Sequence, residues 1–415
     1  MTVIIKLLNK LLNKKLKYLN KYHAIMHSDN FNGNAGTVVH ASTEKHGTYN
    51  AFMPKPLPVE LDVNDLSELL ERAAKELGKL NGMIKLLPNP YLLTKPYTQK
   101  EAVMSSMIEG TLTSFEDVLI AEAGGSIDRE GNPRTVRRGD DIIEVRNLIA
   151  AIEEGVESIK TSEIDLPLLL RLHRILMTNV RGNDKHMGSL RSVQNWIGAP
   201  GTKVQDAKYV PPPPEYVSEQ LDNMLNYMRA KDKMPKLIRI AIAHYQFEAI
   251  HPFEDGNGRI GRAIVILYLI KEGLLDMPML YLSEYFEKNR TLYYDLLFKV
   301  SQKGAYDEWT SFFLNGVVEQ SIKVAEKAGS LLRYSTETKK RMNNERSTHL
   351  VNVFESLLSN PFVTITGISY KEGISYPAAK HIVEKLIKYG ILSLVGKNTR
   401  GKVYASQDIL DILNG

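Results

Sequence analysis

The alternation of apolar and polar positions predicts helices along most of the chain. Apolar residues recur at helical spacing in separate segments, which are residues 64–80, 98–109, 141–158, 165–178, 237–250 and 283–300. Glycines and prolines lie between these segments, where helices usually end. The segment after Asp165 begins as helices commonly do, with a capping side chain and Pro167 close behind. The pattern therefore predicts a mainly α fold.

Two stretches depart from the helical pattern. Residues 193–210 hold short β-prone pieces around a Gly-Ala-Pro-Gly turn, which predicts a small β-hairpin containing Trp196. Residues 347–415 predict a helix, a short extended piece, two further helices and a second hairpin. A helix-turn-helix followed by a two-stranded wing is typical of a winged-helix domain. We therefore expect a helical core with a small hairpin, then a polar linker at residues 335–346 and a C-terminal winged helix-turn-helix domain.

The first fifty residues give little indication of a packed core. Residues 1–27 combine leucines with six lysines and no acidic residue. This composition fits either a basic amphipathic helix at a membrane surface or a disordered extension. Residues 28–50 are rich in Gly, Asn and Ser, and we expect them to be mobile. The predicted organisation is a disordered segment or an extension at residues 1–49, a helical region at 50–125, a core domain at 126–334 and the winged-helix domain at 347–415.

Composition narrows the class of protein. The chain has 415 residues, a net charge of +5 and 43% hydrophobic residues, which is ordinary for a globular protein. It has no cysteine, which excludes a disulfide framework and fits a reducing compartment, so we expect a cytoplasmic location. No apolar run reaches the roughly 18 residues that a membrane span needs. The excess of positive charge lies at the two ends, so it says little about nucleic-acid binding.

The stretch from His251 to Arg262 carries the candidate chemistry. His251 can take a proton near neutral pH, and Asp255 offers the hard oxygen ligand that Mg²⁺ prefers. Alternating glycines let backbone N–H groups turn inward around an anion, and the helix that follows adds its positive N-terminal end. Arg259 and Arg262 lie three positions apart and share one face of that helix. Together these groups indicate phosphoryl or nucleotidyl transfer.

The same stretch resembles the signature of the Fic family, His-Pro-Phe-x-(Asp/Glu)-Gly-Asn-Gly-Arg-x-x-Arg, and every fixed position matches. The resemblance implies a protein adenylyltransferase that moves AMP from ATP, with Mg²⁺ or Mn²⁺, to a Tyr, Thr or Ser hydroxyl of a target protein and of itself. It implies that His251 is the catalytic base, that Asp255 holds the metal and that Phe253 is a buried anchor. The residues it implies for ATP binding are Gly256, Asn257, Gly258, Arg259, Ile260, Gly261 and Arg262, followed further along the chain by Asn289 and Tyr293. From the residues alone, Tyr293 is more commonly a core aromatic.

A second motif lies before the first. The residues from Ser105 to Gly110 resemble the inhibitory signature of many Fic proteins, (Ser/Thr)-x-x-x-Glu-(Gly/Asn). Ser105 and Glu109 are four positions apart, so on a helix they face the same way. The resemblance implies an autoinhibited enzyme in which Glu109 pairs with Arg262 and keeps it from the γ-phosphate of ATP. In the family, the segment matching residues 193–210 is a flap that binds the target by strand addition; a buried structural hairpin is the alternative.

Several alternatives stay open at this stage. Some Fic proteins transfer phosphate or phosphocholine, and an active-site Glu can support removal of AMP. A DNA-binding regulator whose core only senses nucleotide is a different class of protein. In the winged-helix domain, the candidate DNA contacts are Lys380, Lys385, Lys388, Lys397, Arg400 and Lys402. A protein–protein surface, including that of a homodimer, is the other role open to this domain.

Overall fold

The computed structural model describes residues 30–85, 89–125, 136–180, 186–231, 233–342, 345, 347–396 and 402–414. Within these ranges the α-helices are α1 (Ser67–Lys85), α2 (Tyr91–Ile108), α3 (Phe115–Glu122), α4 (Val136–Ser158), α5 (Leu166–Leu176), α6 (Pro214–Arg229), α7 (Lys236–Ile250), α8 (Asn257–Lys271), α9 (Ser283–Lys288), α10 (Arg290–Lys303), α11 (Tyr306–Arg341), α12 (Thr348–Ser359), α13 (Ile365–Glu372), α14 (Tyr376–Lys388) and α15 (Gln407–Asn414). The strands are β1 (Gly36–Thr43), β2 (Gly47–Pro54), β3 (Phe362–Thr364), β4 (Ser393–Val395) and β5 (Val403–Ala405). The prediction of a mainly α fold is confirmed.

Helices α7 and α8 form the centre of the core. Almost every residue of both helices is buried, on all sides of the helix. A helix with no polar face needs neighbours all round, and α6, α10 and α11 pack on α7 while α2, α4 and α5 pack on α8. The turn between α7 and α8 holds the His251 motif. The candidate chemistry therefore lies at one end of the best-buried pair of helices.

Helix α2, which carries the inhibitory motif, is also buried, although much of its surface is polar. It packs against α4, α8, α9 and α12. Its buried polar side chains belong to Thr94, Thr98, Gln99, Lys100, Glu101, Ser105 and Ser106. Buried polar groups need partners, and Glu101, for example, accepts hydrogen bonds from the backbone N–H and the hydroxyl of Ser283. The helix begins earlier than the pattern predicts, at Tyr91, with Pro96 inside it.

The β-hairpin lies where an extension was expected. Strands β1 and β2 pair antiparallel along their full length, with Gly36 opposite Pro54 and Thr43 opposite Gly47. Ala51 and Phe52 are fully buried, and the Phe52 backbone N–H donates to the carbonyl of Val210 at 2.8 Å. The expectation of disorder up to residue 49 is therefore wrong for residues 36–49. Gly36 and Gly47 begin the two strands and Asn50 lies within β2, so Gly and Asn did not exclude strands here. The predicted extension at residues 1–27 lies outside the described residues.

Residues 193–210 are extended but do not form the predicted hairpin. Their ladder is a single bridge between Ile197 and Tyr209, with a 3₁₀ turn at Val204–Asp206 between them. Trp196 is half-buried and donates its indole N–H to the carbonyl of Thr202 at 2.9 Å. The Trp196 side chain thus forms a hydrogen bond within the loop, where the predicted hairpin would have further backbone hydrogen bonds between its strands. Whether this segment is a flap stays a prediction.

The predicted linker after residue 334 is instead helical. Helix α11 continues to Arg341, because Ser335 and Thr338 face inward while the charged residues between them face solvent. The linker expectation is therefore wrong for residues 335–341. Its polar composition reflected the outer face of a long helix.

Residues 347–414 have the predicted order of elements. Strands β3, β5 and β4 form an antiparallel sheet in that order, and α13 and α14 pack together. Assignment of this region as a winged-helix domain stays a prediction. Two of the candidate DNA contacts are paired with acids, Lys385 with Glu345 at 2.6 Å and Lys380 with Glu384 at 3.7 Å. Of the others, Lys388 and Lys402 are exposed, and Lys397 and Arg400 lie outside the described residues.

No helix in the described part of the chain is long and apolar enough to cross a membrane.

Candidate active site

Two left-handed residues shape the turn between α7 and α8. His251 ends α7 with φ +50° and ψ +60°, and Gly256 precedes the first residue of α8 with φ +78°. A non-glycine residue at positive φ is uncommon and often marks a functional site. The chain folds back between them, so the imidazole of His251 lies beside the positive N-terminal end of α8. The turn predicted from the glycine pattern is therefore present.

Asn257 fixes the turn from inside. Its side-chain oxygen accepts the backbone N–H of Phe253 at 2.8 Å, and its side-chain amide donates to the carbonyl of Phe253 at 2.7 Å. Phe253 itself is fully buried, as expected of an anchor. Both polar ends of the Asn257 side chain are thus engaged within the protein. The contact of Asn257 with ATP stays a prediction.

His173, on α5, supports the turn from outside. Its ring stacks on Phe253 with centroids 3.9 Å apart and an interplanar angle of 6°. Its Nε2 lies 3.1 Å from the carbonyl of Asp255, and its Nδ1 accepts the backbone N–H of Gly188 at 3.0 Å. Burial lowers the pKa of His173 to about 4, so the ring is neutral at neutral pH. This role could not be predicted from the sequence, since a histidine on an apolar helix face shows the same pattern wherever it is buried.

Arg191 holds the end of α7. Its guanidinium donates to the carbonyls of His251 at 2.9 Å, Pro212 at 2.5 Å and Ile250 at 3.3 Å. A cation at a helix C-terminus is favourable, and Arg191 is almost fully buried there. This residue also lay outside the predicted site. Its Gly-x-x-Arg context carries no general chemical meaning that would have identified it.

The surroundings of His251 favour its neutral form. Burial lowers the pKa of His251 to about 4, and the nearby charge of Arg191 lowers it further, against a smaller opposite effect of Glu109. At neutral pH the imidazole therefore carries no charge and has a free electron pair to accept a proton.

Arg262 is bound by the inhibitory helix through three hydrogen bonds. Its Nε donates to Ser105 Oγ at 2.8 Å, and its Nη2 donates to the Ser105 carbonyl at 2.9 Å and to Glu109 Oε1 at 2.7 Å. Arg262 is 2% exposed, whereas the Glu109 side chain is 34% exposed. Although burial opposes the charged form, the Glu109 carboxylate keeps the pKa of Arg262 above its ordinary value. The structure thus brings together the three residues of the predicted inhibitory contact.

The Glu109 carboxylate also lies against the glycine turn. A Cβ placed on Gly258 would be 2.2 Å from Glu109 Oε1 and 2.8 Å from Arg262 Nη1. An acidic oxygen therefore lies on the backbone at the start of α8, where an anionic ligand would bind. One turn further along α8, Gly261 faces Glu248, whose Oε1 would be 2.2 Å from a Cβ there.

Arg259 has acidic partners on two sides. Its Nη1 lies 3.2 Å from Glu144 Oε2, and its Nη2 lies 3.4 Å from Asp255 Oδ1. Glu144 also accepts a hydrogen bond from the hydroxyl of Thr111 at 3.3 Å. The same helix, α4, holds Leu112 through Asp141, whose Oδ2 accepts the Leu112 backbone N–H at 3.1 Å. The segment that follows Glu109 is thus attached to α4.

Three of the predicted ATP contacts have partners within the protein or lie in the core. Ile260 is fully buried in the core, and Tyr293 is 1% exposed. The Tyr293 hydroxyl pairs with His244 Nε2 at 2.9 Å, and its contact with ATP stays a prediction. Asn289 lies between α9 and α10 and donates to the carbonyl of Tyr285 at 2.9 Å. The neighbouring Tyr294 is 39% exposed and lies near Glu109 and Arg262.

Asp255 fits a magnesium ligand that is completed by a substrate. Its Oδ1 accepts the backbone N–H of Gly256 at 2.6 Å, and its side chain is 40% exposed. Within the described ranges, no group of three or more His, Asp or Glu residues could hold a metal ion by itself. Mg²⁺ usually binds through one or two carboxylates with water and substrate phosphates. A single exposed carboxylate beside an anion site matches that pattern.

Comparison with known families agrees with this geometry. Residues 163–269 match the model of the Fic/DOC family, and residues 67–157 match that of the Fic/DOC family N-terminal region. The chain therefore carries a Fic/DOC domain preceded by the N-terminal region of the same family.

Relatives with established names match over the same part of the chain. The protein adenylyltransferase fic-1 of Caenorhabditis briggsae is 29% identical over 184 residues, which are 43% of this chain and 33% of that protein. A probable protein adenylyltransferase of Aquifex aeolicus is 39% identical over 71 residues, 17% of this chain and 22% of that protein. The chain thus spans a third or less of the length of these relatives. The solved structure of a Fic family protein from Desulfovibrio desulfuricans shares the fold, with a TM-score of 0.51 at 19% identity over 85% of this chain and 98% of that chain.

Proposed function

We propose that this chain is a protein adenylyltransferase that moves AMP from ATP to a hydroxyl side chain of a target protein and of itself, and that Glu109 holds it inactive. The relatives named as protein adenylyltransferases support the reaction. The observation that carries the proposal is the contact between Glu109 and Arg262 at the glycine turn, 2.7 Å from oxygen to nitrogen.

The turn and the start of α8 supply the binding site for the triphosphate. The backbone N–H of Gly258 and the positive end of α8 favour negative charge there. Arg262, once free of Glu109, adds a fixed cation for the γ-phosphate, and Arg259 adds a second. Asp255 would hold a magnesium ion, which supplies neutralisation of charge on the phosphates of ATP.

His251 performs the proton transfer. A target hydroxyl that attacks the α-phosphorus must lose its proton, and neutral His251 beside the turn accepts it. Arg191 fixes the backbone that carries the ring, through the carbonyls of Ile250 and His251. The bond from the hydroxyl oxygen to the α-phosphorus forms as the bond to the leaving pyrophosphate breaks.

Glu109 blocks this arrangement in two ways. It occupies the guanidinium of Arg262, and it places a carboxylate against Gly258 at the start of α8. Both effects oppose the correct binding of a triphosphate, because like charges repel and the γ-phosphate loses its cation.

The test is radiolabel transfer from α-labelled ATP. Glu109→Gly should raise self-modification by about 5- to 150-fold, the usual range for a coupling between sites. Combining it with His251→Ala should return the signal to background, which assigns the label to this site. If Glu109→Gly transfers no more label than the unchanged protein, autoinhibition by Glu109 is refuted.

A further inference from the structure

Among the described side chains of α5, His173 alone forms hydrogen bonds both with the turn and with the loop that contains Gly188. One ring nitrogen faces the carbonyl of Asp255 within the turn, and the other accepts the backbone N–H of Gly188. Gly256 packs on the same helix end, since a Cβ there would be 3.0 Å from Leu176 and 3.6 Å from the His173 ring. The ring therefore connects the turn to the loop that leads into residues 191–195.

The hydrogen bonds determine the tautomer of this ring. Because Nδ1 accepts a backbone N–H, it carries no proton, so the proton of the neutral ring is on Nε2 and is donated to the Asp255 carbonyl. The other charged groups near the ring are Asp255, whose charge raises its pKa, and Arg259, whose charge lowers it. The ring thus acts as a donor to one loop and an acceptor for the other.

We propose that His173 is a positioning residue that sets the place of Asp255 and the glycine turn through its Nε2–H. This rests on the proposed function, because the turn is taken to bind the triphosphate. Asp255 follows the backbone that His173 holds, so a change at His173 displaces the metal ligand and the start of α8 together.

Two isosteric variants separate the two hydrogen bonds. In the Glu109→Gly background, the amide of His173→Gln reaches the Nε2 position and donates to Asp255, whereas the oxygen of His173→Asn takes the Nδ1 position and accepts from Gly188. We expect His173→Gln to keep kcat/KM for ATP within about threefold and His173→Asn to lower it about tenfold or more, since small displacements at reacting groups are costly. Their melting temperatures should be similar, because each variant keeps one of the two hydrogen bonds. Equal kcat/KM values for the two variants would refute the positioning role.

The tautomer can be read without any activity. In protein labelled with ¹⁵N-histidine, the resonances that disappear in His173→Gln belong to His173. At pH 8 they should show a neutral ring with the proton on Nε2. A proton on Nδ1 would overturn the proposal even if adenylyl transfer proves to be the wrong reaction.

A second, independent observation concerns the outer side of α2. Lys100 is buried there, 3.3 Å from a Glu284 oxygen, and it donates to the carbonyl of Leu413 in the last turn of α15 at 3.2 Å. Lys327 of α11, which is also buried, donates to the same carbonyl at 2.8 Å and to that of Asn414 at 3.2 Å. Burial and the charges of Lys100 and Lys323 lower the pKa of Lys327 to about 7. The carbonyl end of a helix carries partial negative charge, so α15 stabilises two ammonium groups that otherwise repel each other.

We infer that the C-terminal region, residues 347–414, holds α2 in its inhibitory position. Lys100 and Glu109 lie on one continuous helix, roughly 13 Å apart along its axis, so a movement at one is carried to the other. The same region also contacts the segment after α2, where Asn360 donates to the Leu119 carbonyl and Thr364 donates to that of Ala123, each at 2.9 Å. This inference also rests on the proposed function, since it names what keeps Glu109 in place.

Leu410→Arg tests the inference in the full chain. Leu410 is buried on the inner face of α15, so a charge there should detach that helix, whereas Gln407→Arg adds the same charge on the exposed face. We expect Leu410→Arg to raise self-modification at least about fivefold and to speed hydrogen exchange at residues 91–108, with no change in Gln407→Arg. In the Glu109→Gly background the same substitution should raise transfer by a smaller factor, because the two changes act on one contact.

The outcomes distinguish this inference from the proposed function. If Glu109→Gly activates and Leu410→Arg does not, α15 has no part in holding the helix. If neither activates, autoinhibition fails, and hydrogen exchange in α2 still reports on the docking. Unchanged exchange in Leu410→Arg would refute the inference in either case.

Discussion

The turn from His251 to Gly258 and the end of α2 meet at Arg262, yet they are held in opposite ways. The turn is fixed from inside by Asn257, from outside by His173 and at its start by Arg191, all through buried hydrogen bonds. The end of α2 reaches the site through an exposed carboxylate and is followed by Gly110, with φ +98° and no neighbour within 4 Å of a Cβ placed there.

This contrast predicts that the turn keeps its position and that the end of α2 moves. Removing α2 breaks none of the hydrogen bonds that shape the turn, so the site keeps its form when it is released. Catalytic groups that are already in place need no reorganisation when the substrate binds. Under the proposed function, the protein thus combines a preformed site with a segment that moves away.

The largest effect on AMP transfer should come from replacing His251, the proposed proton acceptor, which lies in the turn. Loss of a general base typically lowers the rate by about 10²–10⁴-fold. His251→Ala in the Glu109→Gly background should therefore reduce AMP transfer by that factor and leave ATP affinity, measured by calorimetry, nearly unchanged. His349→Ala, at an exposed histidine, is the control. Transfer at a normal rate without His251 would remove it from the mechanism.

Asn257 tests whether the turn depends on its internal brace. Asn257→Ala leaves the N–H of buried Phe253 without its partner, at a cost of about 1–3 kcal/mol. The Phe253 carbonyl loses one of its two donors and keeps the side-chain amide of Asn195 at 2.9 Å. We expect a lower melting temperature and a loss of transfer of about 10- to 100-fold in the Glu109→Gly background. Asn315→Ala, at an exposed residue with a local hydrogen bond, should change neither. An unaltered rate would mean that the turn holds its shape without this side chain.

The pH dependence should reflect the depressed pKa of His251. Its ordinary value is 6.5 and burial lowers it to about 4, so the neutral base persists as the pH falls through 6. Since Glu109 raises this pKa, its removal moves the acid limb lower still. Transfer by Glu109→Gly should therefore stay level from pH 8 to about pH 5. A midpoint near pH 6.5 would contradict the burial of the base.

The same shift predicts a loss of stability in acid. His251 and His173 bind protons more tightly in the unfolded chain, so their contribution is complete above about pH 6.5 and declines as the pH falls towards about 4. Urea unfolding at a series of pH values, with His173→Gln for comparison, measures this. A flat profile would show that neither ring is buried in its neutral form.

The smallest effect concerns the attachment beyond Glu109. Asp141→Ala removes the acceptor for the Leu112 backbone N–H and should loosen the end of α2. We expect a rise in transfer of about two- to fivefold, less than that of Glu109→Gly, because one exposed hydrogen bond contributes little. Glu157→Ala, at an exposed residue of the same helix, is the control. A rise as large as that of Glu109→Gly would make α4 the main restraint.

Local sequence patterns predicted the groups that are close together in the chain. The base, the glycines and both arginines of the turn lie within twelve residues. The motif on α2 was recognised from its resemblance to the inhibitory signature of Fic proteins. The same resemblance implied the contact of Glu109 with Arg262, across 153 positions. Local chemistry and one family resemblance were enough for these features.

The residues that support the site could not be predicted in this way. His173, Arg191 and Glu144 come from separate elements, and each acts through backbone carbonyls or a distant partner that leaves no periodic pattern. The contacts of α15 with α2 join residues 313 positions apart. Composition also misled, since residues 36–49 form a paired hairpin although residues 28–50 are rich in Gly, Asn and Ser.

The hydrogen bonds from Arg262 to Ser105 have a consequence of their own. When Glu109 loses its charge or its side chain, the serine hydroxyl and carbonyl still hold the guanidinium, so only part of the restraint is gone. Full release of Arg262 requires that the whole of α2 move away from it. The rate of AMP transfer should therefore have more than two levels. Changing the Glu109 side chain gives an intermediate rate, and displacing the helix that carries it gives a higher one.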